Sequence, residues 1–300
     1  MTITSVGYAG EITDANLRRW ATSAVGSMYG VDDFASWRVT PGSGDRAVQI
    51  APGSAFGLGV RDTSDVPTTL SLPSVSSGSR WDLIVGHRDW SASETTHDFI
   101  TGSSTKAIPG RDSGLAGTTD DQPLALVRVA AGQAAVQDII DLRCIPGDGG
   151  MVAFDPLARS YLSRVGTQVR IGDFIWTRNV DSLGNPTWKY VDVTPDTGWA
   201  DVFLNNGWSW NFGKARRVGS QISVRLSAGR AVGWSPGNQL AVLSAPFRPD
   251  TDWYVGSSAN SGKTEFMFAP DGSVTASQWS GGATGVTLHT TYPAARPSTD

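Results

Sequence analysis

The alternation of apolar and polar positions predicts antiparallel β-strands over the first half of the chain. Apolar residues recur at every second position in short runs that end at Gly, Pro or Ser clusters. A period of two is typical of a strand with one buried face. The runs lie at residues 48–50, 70–72, 80–85, 124–129 and 139–142. Between two of them, the polar, glycine-rich stretch 101–122 predicts a long surface loop.

Residues 13–24 predict a helix near the N-terminus. Leu17, Trp20 and Ala21 fall on one face at helical spacing, and the pattern breaks at residues 29–34. Because so short an apolar stripe is marginal alone, the helix is expected to dock on another surface. That surface belongs either to the same domain or to a partner chain.

The second half of the chain is also β-rich. Residues 146–150 (PGDGG) predict a linker, and residues 181–186 (DSLGNP) predict the turn of a hairpin within residues 166–193. A second breakpoint follows at 194–198, and alternation resumes to the end of the chain. About 100 residues with this pattern are typical of a β-sandwich.

These patterns predict a mainly β protein in four parts. An N-terminal helical anchor segment at 1–36 precedes an antiparallel, sandwich-like domain at 37–146. A linker with a small β-hairpin connector follows at 147–197, and a C-terminal β-sandwich head occupies 198–300. No repeat of about 20 to 50 residues is present, so the pattern disfavours a solenoid.

Charge and hydropathy narrow the possible partners. The net charge of −4 gives no electrostatic attraction to nucleic acid. No apolar run approaches the roughly 18 residues of a membrane span, and no secretory signal pattern is present. We therefore expect no membrane insertion and synthesis in the host cytoplasm. The single cysteine, Cys144, excludes a disulfide within the chain and is interpreted as a small apolar residue.

The sequence predicts no catalytic, cofactor or metal site. It contains no nucleophile elbow, zinc-binding His pair or phosphate-binding loop. Aspartates are numerous enough that some pair will lie at glycosidase distance by chance. Asp62 with Asp65, and Asp120 with Asp121, are possible calcium ligands, but their spacing favours solvated carboxylates in turns.

Twelve tryptophans are the most informative feature of the composition. An indole ring suits both a β core and stacking on a sugar. Trp208 and Trp210 would share one face of a strand, whereas the Gly, Ser and Pro neighbours of Trp234 and Trp279 favour loops rather than core. Burial remains the alternative for each ring. The candidate receptor-binding residues are Trp208, Trp210, Trp234, Trp253, Tyr254 and Trp279.

Several motifs in a fixed order resemble minor tail, upper-baseplate and tail-fibre proteins of siphophages, particularly those that infect actinobacteria. In the N-terminal half they are VQIAPGSA at 48–55, LSLP at 70–73, RWDLIV at 80–85, RDW at 88–90, QPLALVRV at 122–129 and IDLR at 140–143. The C-terminal half resembles phage-fibre head domains through LNNGW at 204–208, RVG at 217–219, SAPFRP at 244–249, DG at 271–272 and YPA at 292–294. Ala245–Pro246 departs from the Leu-Pro of such families.

The resemblance implies a virion protein of the phage tail tip. Such proteins are homotrimers whose N-terminal part binds other tail or baseplate proteins and whose C-terminal part binds a host-surface glycan. The family supplies no catalytic residues. Two alternatives stay open, a purely architectural baseplate protein and an envelope polysaccharide depolymerase. Deleting residues 1–34 is expected to leave folded β domains but prevent incorporation into particles. The candidate tail-attachment residues are Leu17, Trp20, Ala21, Tyr29, Phe34 and Trp37.

Overall fold

The computed structural model describes residues 29–112, 118–147, 150–205, 207–259, 262–279 and 284–294. Within them the protein is mainly β, with several antiparallel sheets, which confirms the predicted class. The chain forms two compact units, Met1–Val191 and Asp192–Thr299. No described helix has the length and apolar character needed to cross a membrane. The helix predicted at 13–24 lies outside the described residues.

The first unit contains four small sheets. Its strands are β1 (Tyr29–Val31), β2 (Val39–Pro41), β3 (Ala47–Ile50), β4 (Gly53–Gly57), β5 (Val60–Ser64), β6 (Thr68–Ser71), β7 (Ser79–Asp89), β8 (Glu94–Ile100), β9 (Thr119–Ala130), β10 (Asp138–Asp141), β11 (Cys144–Gly147), β12 (Gly150–Ala153), β13 (Gln168–Ile171), β14 (Phe174–Val180) and β15 (Pro186–Asp192). A 3₁₀ turn at Pro156–Ser160 precedes β13. The strand orders are β1-β4-β5, β2-β3-β6, β10-β9-β7-β8 and β11-β12-β13-β14-β15. The β12–β13 pair is parallel.

The β10-β9-β7-β8 sheet has an apolar core on each face. Leu83 and Val85 of β7 belong to one buried cluster, and Ile84 between them belongs to another. On β9, Leu126 and Val127 divide in the same way. Since successive side chains of a strand point to opposite faces, burial on both sides explains the continuous apolar runs of these two strands.

The polar start of β9 corrects the predicted loop at 101–122. Residues 119–122 are strand, and the side chains of Asp120 and Gln122 are 0% and 1% exposed. Their polarity predicted a loop because polar residues avoid burial unless their charges and hydrogen bonds are satisfied. Here they are satisfied, by partners distant in the sequence.

Residues 29–37 are integral to the first unit. Strand β1 pairs with β4 and is buried along its whole length. The loop that follows β1 is held by Arg143, whose Nη1 donates to the carbonyl oxygens of Phe34 and Ser36 at 3.1 and 2.6 Å. Asp141 accepts two further bonds from the same guanidinium at 3.0 and 2.6 Å. The predicted anchor segment at 1–36 therefore ends in a core strand and a tied loop.

The predicted hairpin within residues 166–193 is confirmed. Strands β14 and β15 are adjacent in their sheet, and Asp181 N donates to the Asn185 carbonyl at 2.9 Å. This sheet shares a buried cluster with the rest of the first unit, since Met151 and Trp176 pack in the cluster that holds Leu83. The predicted boundary at 146/147 falls between β11 and β12, which pair with each other.

The second unit is a single nine-stranded sheet. Its strands are β16 (Ala200–Asp201), β17 (Phe203–Leu204), β18 (Ser209–Val218), β19 (Gln221–Gly229), β20 (Gln239–Val242), β21 (Trp253–Ala259), β22 (Gly262–Phe268), β23 (Ser273–Trp279) and β24 (Gly285–Pro293), with a 3₁₀ turn at Ala245–Phe247. The order is β16-β18-β19-β24-β21-β22-β23-β20-β17. Only Val202 separates β16 from β17, which lie at opposite ends of this order. The sheet therefore closes on itself around one buried interior.

Along the strands of the second unit, successive side chains point alternately into this interior and toward the outer face of the sheet. Ile222, Val224 and Leu226 of β19 are all 0% exposed, as the sequence predicts. They pack in one cluster with Phe266, Phe268 and other inward residues from across the closed sheet. The outward residues of the same strands remain to face solvent or a partner.

Candidate functional site

Two of the predicted receptor-binding tryptophans are core residues of the second unit. Trp208 and Trp234 are 8% and 2% exposed, and their ring centroids are 5.0 Å apart. Trp208 Nε1 donates to the Gln239 carbonyl at 3.2 Å. The backbone of Trp234 is outside any strand, as its neighbours predict, but the prediction that the residue avoids the core is wrong. A loop with small, flexible neighbours can still fold a large apolar ring inward.

Trp253 and Tyr254 are the predicted residues that remain at the surface. Their exposed fractions are 37% and 54%. Trp253 Nε1 donates to Thr290 Oγ1 at 3.3 Å, and its ring centroid lies 6.4 Å from that of Tyr292. The side chains of Trp210 and Trp279 lie outside the described part of the protein. A receptor-binding role for Trp253 and Tyr254 stays a prediction.

The predicted tail-attachment residues separate in a similar way. Tyr29 and Trp37 are 1% and 2% exposed, so their rings contact this chain's own core. Phe34 is 62% exposed and its ring centroid lies 5.8 Å from that of Phe154, which is also exposed. Leu17, Trp20 and Ala21 lie outside the described residues. Of the six, Phe34 is the described residue that is free to contact a partner.

The outer face of three neighbouring strands in the second unit forms a polar strip. The pairing of β18 with β19 and of β19 with β24 places nine outward residues in three rows. We call this set the C-terminal strip; its rows are Phe212, Ser227, Thr287; Lys214, Arg225, His289; and Arg216, Ser223, Thr291. With strands about 4.8 Å apart and alternate residues about 7 Å apart, the rows span roughly 10 by 14 Å.

Arg225 occupies the centre of the C-terminal strip. Its guanidinium carbon lies 4.6 Å from the ring centroid of Trp199, which is 38% exposed, and its Nε donates to His289 Nε2 at 3.3 Å. Within the described part of the chain Arg225 has no carboxylate partner, whereas Lys214 pairs with Asp201 at 2.6 Å. Because a guanidinium has five N–H donors, the bond to His289 leaves four available to a ligand.

Hydroxyl groups flank this basic row on both sides. Ser223 Oγ and Thr291 Oγ1 are 3.2 Å apart, and Ser227 Oγ and Thr287 Oγ1 are 3.1 Å apart. Each hydroxyl can donate one hydrogen bond and accept two. Ser227 is only 7% exposed and already accepts from Asn211 Nδ2 at 3.2 Å, so the Ser223–Thr291 pair is the more accessible of the two. Hydroxyls, a guanidinium and an indole ring together provide the polar and stacking contacts that carbohydrates use.

Trp199, Arg225 and His289 are not among the binding residues that the sequence predicts. The alternation of Ile222, Val224 and Leu226 already implied that Arg225 faces outward. Its neighbours could not be foreseen, because His289 lies 64 positions away in sequence and reaches it only through the β19–β24 register.

The first unit contains a buried polar cluster around Arg88, which is 1% exposed. Arg88 donates to Asp62 Oδ2 at 2.8 Å, to Gln122 Oε1 at 2.6 Å and to Asp120 Oδ2 at 3.4 Å. Asp120 also accepts from the Tyr29 hydroxyl at 2.5 Å. These five residues are the Arg88 cluster, and their mutual bonds are those of a structural network.

The adjacent carboxylate of Asp121 bonds His87 Nδ1 at 2.6 Å. The prediction that Asp120 and Asp121 are solvated turn residues is wrong, since they are 0% and 6% exposed and paired. Among the described residues, no group of three or more His, Cys, Asp or Glu side chains is arranged to hold a metal ion.

Comparison with known proteins does not identify a relative. The sequence matches no protein-family model, and no curated protein matches it significantly. Functional inference therefore depends on the motifs in the sequence and on the surfaces described above.

Proposed function

We propose that this protein is a structural component of a bacteriophage tail tip or baseplate that binds a host-surface glycan. Its N-terminal part attaches to other tail proteins, and its C-terminal unit carries the glycan site. The motif resemblance supports the virion role, and the division into two mainly β units is compatible with separate attachment and binding functions.

The observation that carries the glycan-binding part of this proposal is the C-terminal strip. Arg225 lies against the Trp199 ring without a carboxylate partner and is bordered by two hydroxyl pairs. A sugar ring offers hydroxyls that both donate and accept, and its C–H face packs on an indole. The Arg225 guanidinium, which has no carboxylate partner among the described residues, additionally favours a glycan with acidic groups.

A homotrimer would multiply this site. Phe203 of β17 and Val242 of β20 lie opposite each other and are 72% and 39% exposed. An exposed apolar cross-strand pair is typical of a surface that a partner covers, and symmetric copies share such surfaces at low cost. Three linked sites would raise the avidity for a repeating polysaccharide above that of a single site.

Light scattering should give about three times the 31.7 kDa of one chain; a monomer would contradict the trimer.

The glycan proposal is tested with the full-length chain on an array of neutral and acidic bacterial surface polysaccharides. We expect binding to a subset of glycans, with at least about tenfold weaker binding for Arg225→Ala, since a charge-assisted bond contributes about 1.5–3 kcal/mol. Trp253→Ala is the matched variant at the site predicted from sequence. If only Trp253→Ala loses binding, the strip is the wrong site although the function stands. If the wild-type chain binds no glycan, the function itself is wrong.

The two alternatives predict different outcomes in the same material. A purely architectural baseplate protein would bind none of the polysaccharides but would bind another tail protein. A depolymerase would release soluble oligosaccharides from the arrayed glycans during incubation. Retention of intact glycan on the array, together with binding, supports the adhesion role over both.

A further inference from the structure

Two adjoining cavities lie between β5 and β8, the edge strands of two different sheets in the first unit. One cavity measures about 500 Å³ and is lined by Trp37, Asp62, Thr63, Ser64, Thr68, Thr95, Thr96 and His97. The other measures about 480 Å³ and includes Trp90, Asp62 and Thr95 in its wall. The hydrogen bond from Thr95 Oγ1 to Asp62 Oδ1, at 2.7 Å, lies between them. We call the two cavities together the β5–β8 groove.

Residues lining the groove carry buried polar atoms that have no partner within the described structure. They are Trp37 Nε1, Ser64 Oγ and His97 Nε2 in the first cavity, and Trp90 Nε1 in the second. An unsatisfied buried polar group costs about 1–3 kcal/mol, so native proteins rarely keep one without a reason. Four around one groove indicate a ligand whose polar groups complete them.

The position of Trp37 is fixed by its surroundings. Gly86 of β7 has no side chain, and a Cβ atom at that position would lie 2.7 Å from the Trp37 ring. The ring also meets His97 edge-on, with centroids 4.6 Å apart. Trp37 has a φ of 55°, a left-handed conformation that is strained for a bulky residue. The packing therefore holds the ring in the wall of the first cavity, with its N–H less than 1 Å² exposed and without a hydrogen-bond partner among the described residues.

The chemistry of the unpartnered atoms favours hydroxyl groups as the ligand. An indole N–H only donates, a serine hydroxyl donates and accepts, and a neutral imidazole nitrogen does one or the other. His97 Nδ1 already bonds Thr68 Oγ1 at 3.0 Å, which leaves Nε2. A carboxylate ligand could accept from the indoles but would lie beside Asp62, and an ammonium could not accept from them at all. A hydroxyl satisfies each atom.

Charge and size favour a neutral sugar over water alone. The wall of the second cavity contains Arg61, Arg88, Asp62, Asp89 and Glu94, two positive against three negative side chains, so its formal charge is −1. The Asp62 carboxylate is already bound by Arg88 and Thr95, and so nearly balanced a lining favours a neutral ligand over an ion. A water molecule occupies about 30 Å³ in the liquid, so each cavity exceeds the volume of one water by more than tenfold. Both volumes fall within the range of about 300–1,000 Å³ that ligand sites have.

We propose that the β5–β8 groove binds a neutral oligosaccharide, with one sugar unit in each cavity and a ligand hydroxyl accepting from each indole N–H. Less than 1 Å² of each unpartnered atom is exposed. Binding therefore requires the walls of the groove to separate locally, so that all four atoms, including the two indole N–H groups, become accessible to the ligand. This site is in the first unit and is independent of the C-terminal strip.

The test uses the full-length protein with ¹⁵N-labelled tryptophan and cellobiose, maltose, lactose and N,N′-diacetylchitobiose as probes. We expect at least one disaccharide at millimolar concentration to shift the indole N–H signals of Trp37 and Trp90, assigned by single Trp→Phe variants. If none of the four moves either signal, the proposal is overturned. A short polar peptide is the competing probe; shifts caused by the peptide and by no sugar would identify a strand-binding groove instead.

Ser64→Ala separates a ligand role from a structural one. Because the Ser64 hydroxyl has no hydrogen-bond partner among the described residues, its removal should leave the free energy of unfolding unchanged or higher. The same change should weaken disaccharide binding about fivefold, the effect of losing one hydrogen bond. Ser76→Ala, at an exposed position outside both the groove and the C-terminal strip, is the control and should leave groove binding unchanged. Equal affinity in wild type and Ser64→Ala would contradict the site, whatever the outcome for the strip.

Discussion

Arg88 is buried between the carboxylates of Asp62 and Asp120 in the first unit. Replacing it with methionine removes the cation beside Asp62 and leaves Asp120 only the longer contact to Arg111, at 3.9 Å, while preserving most of the side-chain volume. Removing one partner of a buried ion pair typically costs about 3–5 kcal/mol. We expect Arg88→Met to lower the free energy of unfolding by an amount in this range, measured by urea denaturation.

Arg61 provides the matched control, because it pairs with Asp32 at the surface and its side chain is 64% exposed. Arg61→Met should cost less than about 1 kcal/mol. Cys144 gives a readout specific to the first unit, since burial raises the pKa of its thiol to about 12 and a thiolate reagent at pH 8 reacts only on unfolding. Equal stability losses for the two arginine variants would show that the Arg88 cluster is not a stabilising network.

The pKa values of His87 and His97 are shifted in opposite directions from that of an ordinary histidine. The hydrogen bond to Asp121 raises the pKa of His87 above 6.5, and burial lowers the pKa of His97 below it. The stabilisation from His87 is therefore complete below about pH 6.5 and is lost as pH rises through its folded-state pKa. The contribution of His97 is complete above about pH 6.5 and is lost as pH falls toward its folded-state pKa.

Imidazole C–H resonances followed by NMR across pH 4–9 should resolve these two histidines on either side of about 6.5. Asp121→Asn removes the anion beside His87 and should bring that pKa down while leaving the His97 curve in place. If both resonances titrate together in the wild type, the buried environment of His97 or the Asp121 bond is incorrectly described.

The turn between β22 and β23 requires glycine at position 272, both for its backbone conformation and for its lack of a side chain. Gly272 has a φ of +94°, and a Cβ atom there would lie 2.4 Å from the Leu243 carbonyl oxygen. Gly237 has a similar φ of +86°, but no atom lies within 4 Å of its Cβ position. Both alanine variants incur backbone strain of about 1–2 kcal/mol from the positive φ. Only Gly272→Ala adds a clash with main-chain atoms, so its thermal midpoint should fall further. Equal midpoints would contradict the clash.

Strand β1 changes the expectation for an N-terminal deletion. Deleting residues 1–34 removes Tyr29 and Val31 from two buried clusters and exposes the strand edge of β4. We expect this variant to lose cooperative unfolding of the first unit. A deletion of residues 1–28 retains β1 and should keep that transition. Comparable melting curves for the two deletions would show that β1 is dispensable.

At the level of strands, alternation of apolar and polar residues was sufficient to predict which side chains face inward wherever one face of a strand is buried. Ile222, Val224 and Leu226 face inward as the period of two predicts. Alternation did not predict the strand at residues 119–122, because the Tyr29 hydroxyl and the Arg88 guanidinium that bond the buried Asp120 lie on β1 and β7, more than 30 positions away. The polarity of a residue is known from the sequence, but whether a partner in the fold allows that residue to be buried is not.

The candidate sites were harder to foresee than the strands for the same reason. Trp234 was assigned outside the core from its flexible neighbours, although its ring packs against Trp208 and Phe266. The unpartnered atoms of the β5–β8 groove come from separate segments that meet only in the folded unit. Whether a buried polar group has a hydrogen-bond partner depends on the residues around it in the fold, so a local sequence pattern cannot predict it.

At the level of the whole chain, each unit has its own apolar interior. The second unit buries Ile222, Val224, Leu226, Phe266 and Phe268 within one closed sheet. The first unit instead combines sheets from both sides of the predicted 146/147 boundary, since Met151 and Leu83 share a cluster. The physical division of the chain therefore follows shared cores, whereas glycine-rich composition marks only where the backbone turns.

This division predicts different results from cutting the chain at two places. Separation after Val191 leaves both cores whole, so fragments 1–191 and 192–300 should each unfold cooperatively with near-UV circular dichroism typical of packed aromatic rings. Separation after residue 146 parts β11 from β12 and removes Met151, Val169 and Trp176 from the core that holds Leu83. Fragment 1–146 should then lack a cooperative unfolding transition. The stabilisation lost with so many core side chains exceeds the 5–15 kcal/mol by which a typical domain is stable. A cooperative fragment 1–146 would mean that β12–β15 form a separate module after all.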